Sequence, residues 1–285
     1  MKVLVTGVKG QLGFDVIREL EARGHDAIGV DIEEMDITDK ASVERVIGNE
    51  RPEAVIHCAA WTAVDAAEES ENIDTVRKIN ADGTAYIANA AKNIDAKMIY
   101  ISTDYVFSGE GNEPMHPDDA RAPLNVYGQT KYEGELAVET ALEKYFIVRI
   151  SWVFGSNGKN FIKTMLRLSE SHDTLRVVND QIGLPTYTRD LARLLVDMVG
   201  SDKYGRYHAT NEGEYISWAD FARQIFIYAN KNTTVIPVTT AEYGVSKAKR
   251  PFNSRMSREK LTQNGFALLP DWKDALKRYL MEIND

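Results

Sequence analysis

The sequence predicts a doubly wound α/β fold, in which helices cover both faces of a parallel sheet, and two observations carry that prediction. Over residues 1–150, short β-rich runs alternate with amphipathic stretches of helical length. The runs are continuously apolar over most of their length, as expected of strands buried on both faces. The length of 285 residues suits one large domain or two joined ones, and 44% hydrophobic with 27% charged residues is an ordinary globular balance.

KVLVT at 2–6 reads as the first strand, followed by a glycine turn and a helix over 11–23. A strand at 26–30, a helix at 40–49 and a strand at 54–57 come next. A long helical stretch covers 74–93 and a strand 97–102. Beyond a loop bearing Gly and Pro, a helix covers 126–144 and a strand 146–150. The second half is less regular, with helices at 161–169, 189–199, 218–229 and 272–282 and one strand near 175–178. No repeat or low-complexity tract interrupts the chain.

A net charge of −9, from 34 Lys+Arg against 43 Asp+Glu, argues against a nucleic-acid partner, which needs a basic footprint. One cysteine, Cys58, permits no intrachain disulfide, so a reducing cytoplasm is the expected location. The N-terminal apolar run is too short for a secretory signal, and no stretch approaches the 18 apolar residues of a membrane span.

Gly7, Gly10 and Gly13 form G-x-x-G-x-x-G between the first strand and the first helix. Glycines there permit a tight turn and let backbone N–H groups approach a pyrophosphate at a helix N-terminus. The expectation is a Rossmann-like dinucleotide site. Asp31 ends the second strand 24 residues after Gly7, near the spacing of an acid that binds a ribose 2′-hydroxyl. It favours NADH; Lys9, in the turn, could instead offset the extra phosphate of NADPH. Asp36 either caps the next helix or contacts adenine. The expected layout is a dinucleotide-binding domain over 1–157 with a smaller, partly interleaved C-terminal substrate lobe over 158–285, some of it packing back on the first domain.

Tyr127 and Lys131 stand four residues apart on a predicted helix and so share a face. They follow Thr103, at a strand end, by 24 residues or more. Parallel sheets place ligands at that edge. A phenol titrates near about 10, and a neighbouring cation lowers that value. Tyr127 would then act as general acid toward a substrate oxygen, Thr103 (or Ser102) would hydrogen-bond the same oxygen, and Lys131 would hold the nicotinamide ribose. Together with the glycine turn, this trio resembles the extended short-chain dehydrogenases/reductases.

Longer segments narrow the resemblance: HCAAWTAVDAAE from His57, ISTDYVFSG from Ile101, PLNVYGQTK from Pro123, VRISWVFG from Val148, KNFIKTML from Lys159, NDQIGLPT from Asn179 and KRPFNS from Lys249. Along nearly the whole chain they are similar to dTDP-4-dehydrorhamnose reductases. The resemblance implies reduction of the C4 ketone of a dTDP-4-dehydro sugar by NADPH or NADH, for surface polysaccharide synthesis. It implies Thr103, Tyr127 and Lys131 as the catalytic trio. Gly7, Gly10, Gln11, Leu12, Gly13, Asp31, Asp36, Ile37, Ala59, Ala60 and Thr62 fall on cofactor segments. Val64, Asp104, Tyr105 and Trp152 fall on segments lining the nicotinamide and sugar, and Asn160, Gln181 and Arg250 would serve the nucleotide diphosphate. A monomer or homodimer is expected. Some relatives bridge subunits with Mg²⁺, although no metal motif stands in the sequence.

Other residues have plainer readings. Cys58 reads as a small core residue, His57 as a strand residue, Trp218 and Phe221 as packing within the second lobe, and Glu68-Glu69 as a solvated helix face. A dehydratase would need a second carboxylate beside Thr103, where Tyr105 follows Asp104; an epimerising reductase would need further acid–base groups. The rival of another class is a non-catalytic cofactor-binding module, similar to the regulatory β subunit of methionine adenosyltransferase. A reductase of another keto sugar nucleotide is a further alternative.

Overall fold

The computed structural model describes residues 1–244 and 246–284. Strands β1 (Lys2–Thr6), β2 (Asp26–Val30), β3 (Ala54–His57), β4 (Lys97–Thr103) and β5 (Tyr145–Ile150) form a parallel sheet with a sixth strand, Gly205–His208. The spatial order is 205–208, β5, β4, β3, β1, β2, and every pairing is parallel. Successive strands step outward in opposite directions from β1, so the switch point lies between β1 and β3, where a crevice opens at the carboxyl edge. The doubly wound prediction is met.

Helices α1 (Gln11–Ala22) and α7 (Thr188–Val199) cover one face, burying Val16, Leu20, Leu191 and Leu195 against Val5, Ile99 and Val148. On the other face α2 (Lys40–Glu50), α4 (Gly83–Asn93) and α5 (Val126–Ala141) bury Val43, Ile87 and Val138 against Leu4, Val55 and Met98. The helix expected over 74–93 is α3 (Ile73–Arg77) running into α4 through a π-helical turn, Lys78–Asp82. A second core forms around Phe154, Phe221, Tyr187, Tyr279 and Trp272, from helices α6 (Phe161–Ser169) and α8 (Trp218–Tyr228) and the C-terminal helix Trp272–Glu282.

The two cores do not divide at one point in the sequence. Phe154, just after β5, belongs to the second core, whereas α7 and the strand Gly205–His208 return to the sheet. That sixth strand was not predicted: GRYH is four residues long and half polar. His208 is buried there and stacks edge-on with Phe107. The parallel strand pair Thr174–Val178 and Thr234–Val238 flanks the second core, and the latter was also missed because Pro237 interrupts it.

Candidate active site

The glycine turn packs as its spacing demands. A Cβ on Gly13 would be driven into the carbonyl of Gly7, so only glycine lets α1 start this close to the strand end. Gly10 caps α1 without a side-chain bond, and the first turn has no acidic residue, which leaves N–H groups for an anion. At the end of β2, the Asp31 carboxylate accepts from the backbone N–H groups of Lys9 and Ile32, both at 3.0 Å. It therefore ties the turn to β2 while retaining lone pairs for a hydroxyl. Glu33 pairs with the Lys9 ammonium at 2.6 Å and so competes with a 2′-phosphate for that cation.

Asp31, Asp36, Ile37, Ala59 and Ala60 line a cavity of about 350 Å³ over the end of β1 and β2. Asp36 does not cap α2. Its carboxylate accepts from the backbone and hydroxyl of Thr38 at 2.9 and 2.8 Å, and Asp39 is the cap, accepting from Ala41 N–H at 3.0 Å.

The adjoining cavity, of about 610 Å³, runs from the glycine turn past Thr62 and Val64 to Thr103, Tyr127 and Lys131. Thr103 ends β4 and caps the short turn Asp104–Val106; its hydroxyl donates to Asp104 at 3.0 Å. Helix α5 is capped by Asn125, whose side chain accepts from Gly128 N–H at 2.7 Å, and Glu68 accepts from Val126 N–H at 2.8 Å. Glu68 is thus a helix-capping group rather than part of a solvated face. A Cβ on Gly128 would collide with the carbonyl of Tyr105, so this end of α5 rests directly on the chain after Thr103 and brings Tyr127 beside it. Ser102 also lines this cavity, but its hydroxyl donates to Glu135 at 2.6 Å, so its proton is engaged by the fold.

The electrostatics differ from expectation in one respect. Burial pushes the Tyr127 phenol above its ordinary value, Thr103 opposes the shift, and Lys131 exerts no resolved pull on it. The lysine lies over the Tyr100 ring at 4.1 Å, and burial lowers its pKa to about 7 despite the Glu135 carboxylate one turn along. A largely buried ammonium without a close counter-charge cannot hold its proton as it would in water. Burial likewise raises Asp104 to about 6, against bonds from Ser254 and Thr103 that favour its ionised form. Cys58 forms part of the cavity wall instead of lying wholly in the core, and burial keeps its thiol protonated, raising it to about 12. His57 is interior, between Thr6 and Thr84 hydroxyls at 2.7 and 3.1 Å, and neutral with its pKa lowered to about 3.

Gln11, Leu12, Tyr105 and Trp152 reach the cavity wall; Asn160, Gln181 and Arg250 do not. Asn160 caps α6, accepting from Lys163 N–H at 3.0 Å and donating to Tyr279 at 2.9 Å, so it is committed to the fold. Gln181 is buried and donates to Thr240 at 3.0 Å. Arg250 stands behind Tyr105, donating to its hydroxyl at 2.9 Å and to Asp65 at 2.7 Å. Neither a free phosphate fork nor a solvated loop describes it. Sequence reading missed Trp218 and Lys159 as wall residues. Trp218 stacks on Trp152 at 3.8 Å and 18°, which buttresses a tryptophan held at φ 49. No helix of the described residues is long and apolar enough to cross a membrane, and among them no cluster of three or more His, Cys, Asp or Glu could hold a metal.

The parallel sheet, the glycine turn at its first strand and the grouping of Thr103, Tyr127 and Lys131 at its carboxyl edge define the extended short-chain dehydrogenase/reductase class. Within it, the chain belongs to the family of the RmlD substrate binding domain, whose family model matches residues 1–284. It is 40% identical over 281 residues to the spore coat polysaccharide biosynthesis protein SpsK of Bacillus subtilis, covering 99% of this chain and 97% of that one. It is 41% identical to the dTDP-4-dehydrorhamnose reductase of Aggregatibacter actinomycetemcomitans, covering 97% of both. The solved dTDP-4-dehydrorhamnose reductase of Bacillus anthracis in complex with NADP superposes with a TM-score of 0.94 at 43% identity, covering 99% of this chain and 100% of that one.

Proposed function

We propose that this chain reduces the C4 ketone of dTDP-4-dehydro-L-rhamnose to dTDP-L-rhamnose with NADH or NADPH, for polysaccharide synthesis, as a cytoplasmic monomer or homodimer. The observation that carries the reading is the single cavity joining the glycine turn to Thr103, Tyr127 and Lys131. Family membership narrows the substrate to a dTDP sugar.

A bound reduced nicotinamide supplies the hydride. Gly10, Gln11 and Leu12 present N–H groups to its diphosphate, and Asp31 meets the adenosine ribose. Because burial raises its pKa, Tyr127 keeps its proton at neutral pH and is a ready donor to the C4 oxygen. Thr103 turns its hydroxyl from Asp104 toward the same oxygen and helps to hold the developing negative charge. As the proton leaves, the phenolate attracts Lys131 and strengthens that group's hold on its own proton. Asp104 and Tyr105, anchored by Ser254 and Arg250, shape the sugar side.

Loss of reduced-cofactor absorbance on adding dTDP-4-dehydro-L-rhamnose tests the proposal. Faster oxidation with another keto sugar nucleotide would reassign the substrate. Cofactor binding without oxidation of any such sugar would leave a non-catalytic module.

A further inference from the structure

A cavity that accepts a diphosphate needs positive charge, and most of the charge on this wall is already engaged. Lys9 is held by Glu33, and Lys131 is buried at the far end of the cavity, lying over the Tyr100 ring. Lys159 also lies on the wall. It is exposed, and among the described residues it makes neither a hydrogen bond nor an ion pair.

Its position is fixed by the backbone that carries it. Residues 155–160 lie across the glycine turn, with Gly155 N–H and the Asn160 amide donating to the Gln11 side chain at 2.9 and 3.1 Å. Asn157 donates to the Lys9 carbonyl at 2.7 Å. From α6, Lys163 donates to the carbonyls of Ser156 and Gly158 at 2.6 and 2.9 Å. These bonds hold the Lys159 backbone against the uncapped start of α1, so the side chain reaches an anion there without the loop having to order itself first.

We propose that Lys159 is the counter-charge to the cofactor's pyrophosphate. The cofactor is then gripped between the turn of the first domain and the loop entering the second lobe, and its binding couples the two. The inference rests on the nucleotide site of the reductase reading and not on its sugar substrate.

The test titrates NADH, NADPH and, separately, dTDP into the wild type, Lys159→Gln and Lys159→Arg by calorimetry at two salt concentrations. An exposed charge-assisted bond is screened, so Lys159→Gln should weaken both cofactors about five- to tenfold, with a shallower salt dependence. Lys159→Arg should retain affinity, and dTDP binding should not change. Weakened dTDP with unchanged NADH would assign the lysine to the substrate diphosphate, and no change in either would leave it in solvent; both results overturn the proposal. A chain that binds NADH through Lys159 yet reduces no sugar would instead count against the reductase reading.

Discussion

Selection between NADH and NADPH follows from the arrangement at the end of β2. A 2′-phosphate would place roughly two negative charges beside the Asp31 carboxylate, with Glu33 and Glu34 following in the chain. The one lysine in the turn, Lys9, is paired with Glu33 at 2.6 Å. At about 4 Å, one pair of like charges costs about 1 kcal/mol in bulk water and about 4 kcal/mol near a protein surface. Screening at this exposed edge favours the lower figure, and one such pair corresponds to about a fivefold preference for NADH in kcat/KM. Asp31→Asn removes the repulsion and keeps an acceptor oxygen for one of the two N–H groups, Lys9 or Ile32, that the two carboxylate oxygens now serve, so the ratio should fall toward one. Adding Glu33→Gln frees Lys9 and should carry the preference over to NADPH. The assay is kcat/KM for both cofactors on one sugar nucleotide across the three proteins. A wild-type preference for NADPH, or a ratio unmoved by Asp31→Asn, would refute the reasoning.

Three further outcomes are expected. Tyr127→Phe should lower turnover by about 10²–10⁴-fold and leave the NADH dissociation constant unchanged; near-normal turnover would remove Tyr127 as the acid. Lys131 titrates near 7 in the folded chain against an ordinary 10.5, so between those values the unfolded chain binds the extra proton and stability rises with pH. Melting temperatures of the cofactor-free protein across that window should climb more steeply in the wild type than in Lys131→Met, and equal slopes would count against the lowered pKa. Arg250→Ala should release Tyr105 from Asp65, raising KM for the dTDP sugar with kcat and NADH affinity little changed, whereas a lower kcat at constant KM would put Arg250 in the chemistry.

Much of the sheet was legible because its strands are buried on both faces and bounded by turn residues. Between its first residue, Lys2, and its last, Thr6, KVLVT is wholly apolar, and AVIH is apolar up to its last; there Thr6 and His57 bond each other across the edge. The strand Gly205–His208 gave no such signal. It lies at the edge of the sheet beside β5, and its Arg206 pairs with Glu139 on α5 while His208 packs on Phe107, contacts made from distant parts of the sequence. The π-helical turn was equally hidden, since KINAD has no proline or glycine to mark a break in the helix.

Site residues divide along the same line. Glycine spacing and the Tyr127–Lys131 interval are local, and a local pattern survives in the sequence. Whether a polar side chain faces the ligand or the fold is decided by its partners, and those lie far away: Asn160 finds Tyr279, Gln181 finds Thr240 and Arg250 finds Asp65. The same dependence explains the protonation states. Four residues of spacing place Lys131 on the face of Tyr127 but say nothing of burial, which lowers the lysine and raises the phenol. A phenol stripped of water and a lysine with a weakened hold on its proton are each unfavourable alone. In the proposed reaction they become complementary once a proton leaves Tyr127, because the phenolate is then the counter-charge the buried ammonium lacks. Under the proposed mechanism, the charge that completes the cofactor-free site arises during the reaction.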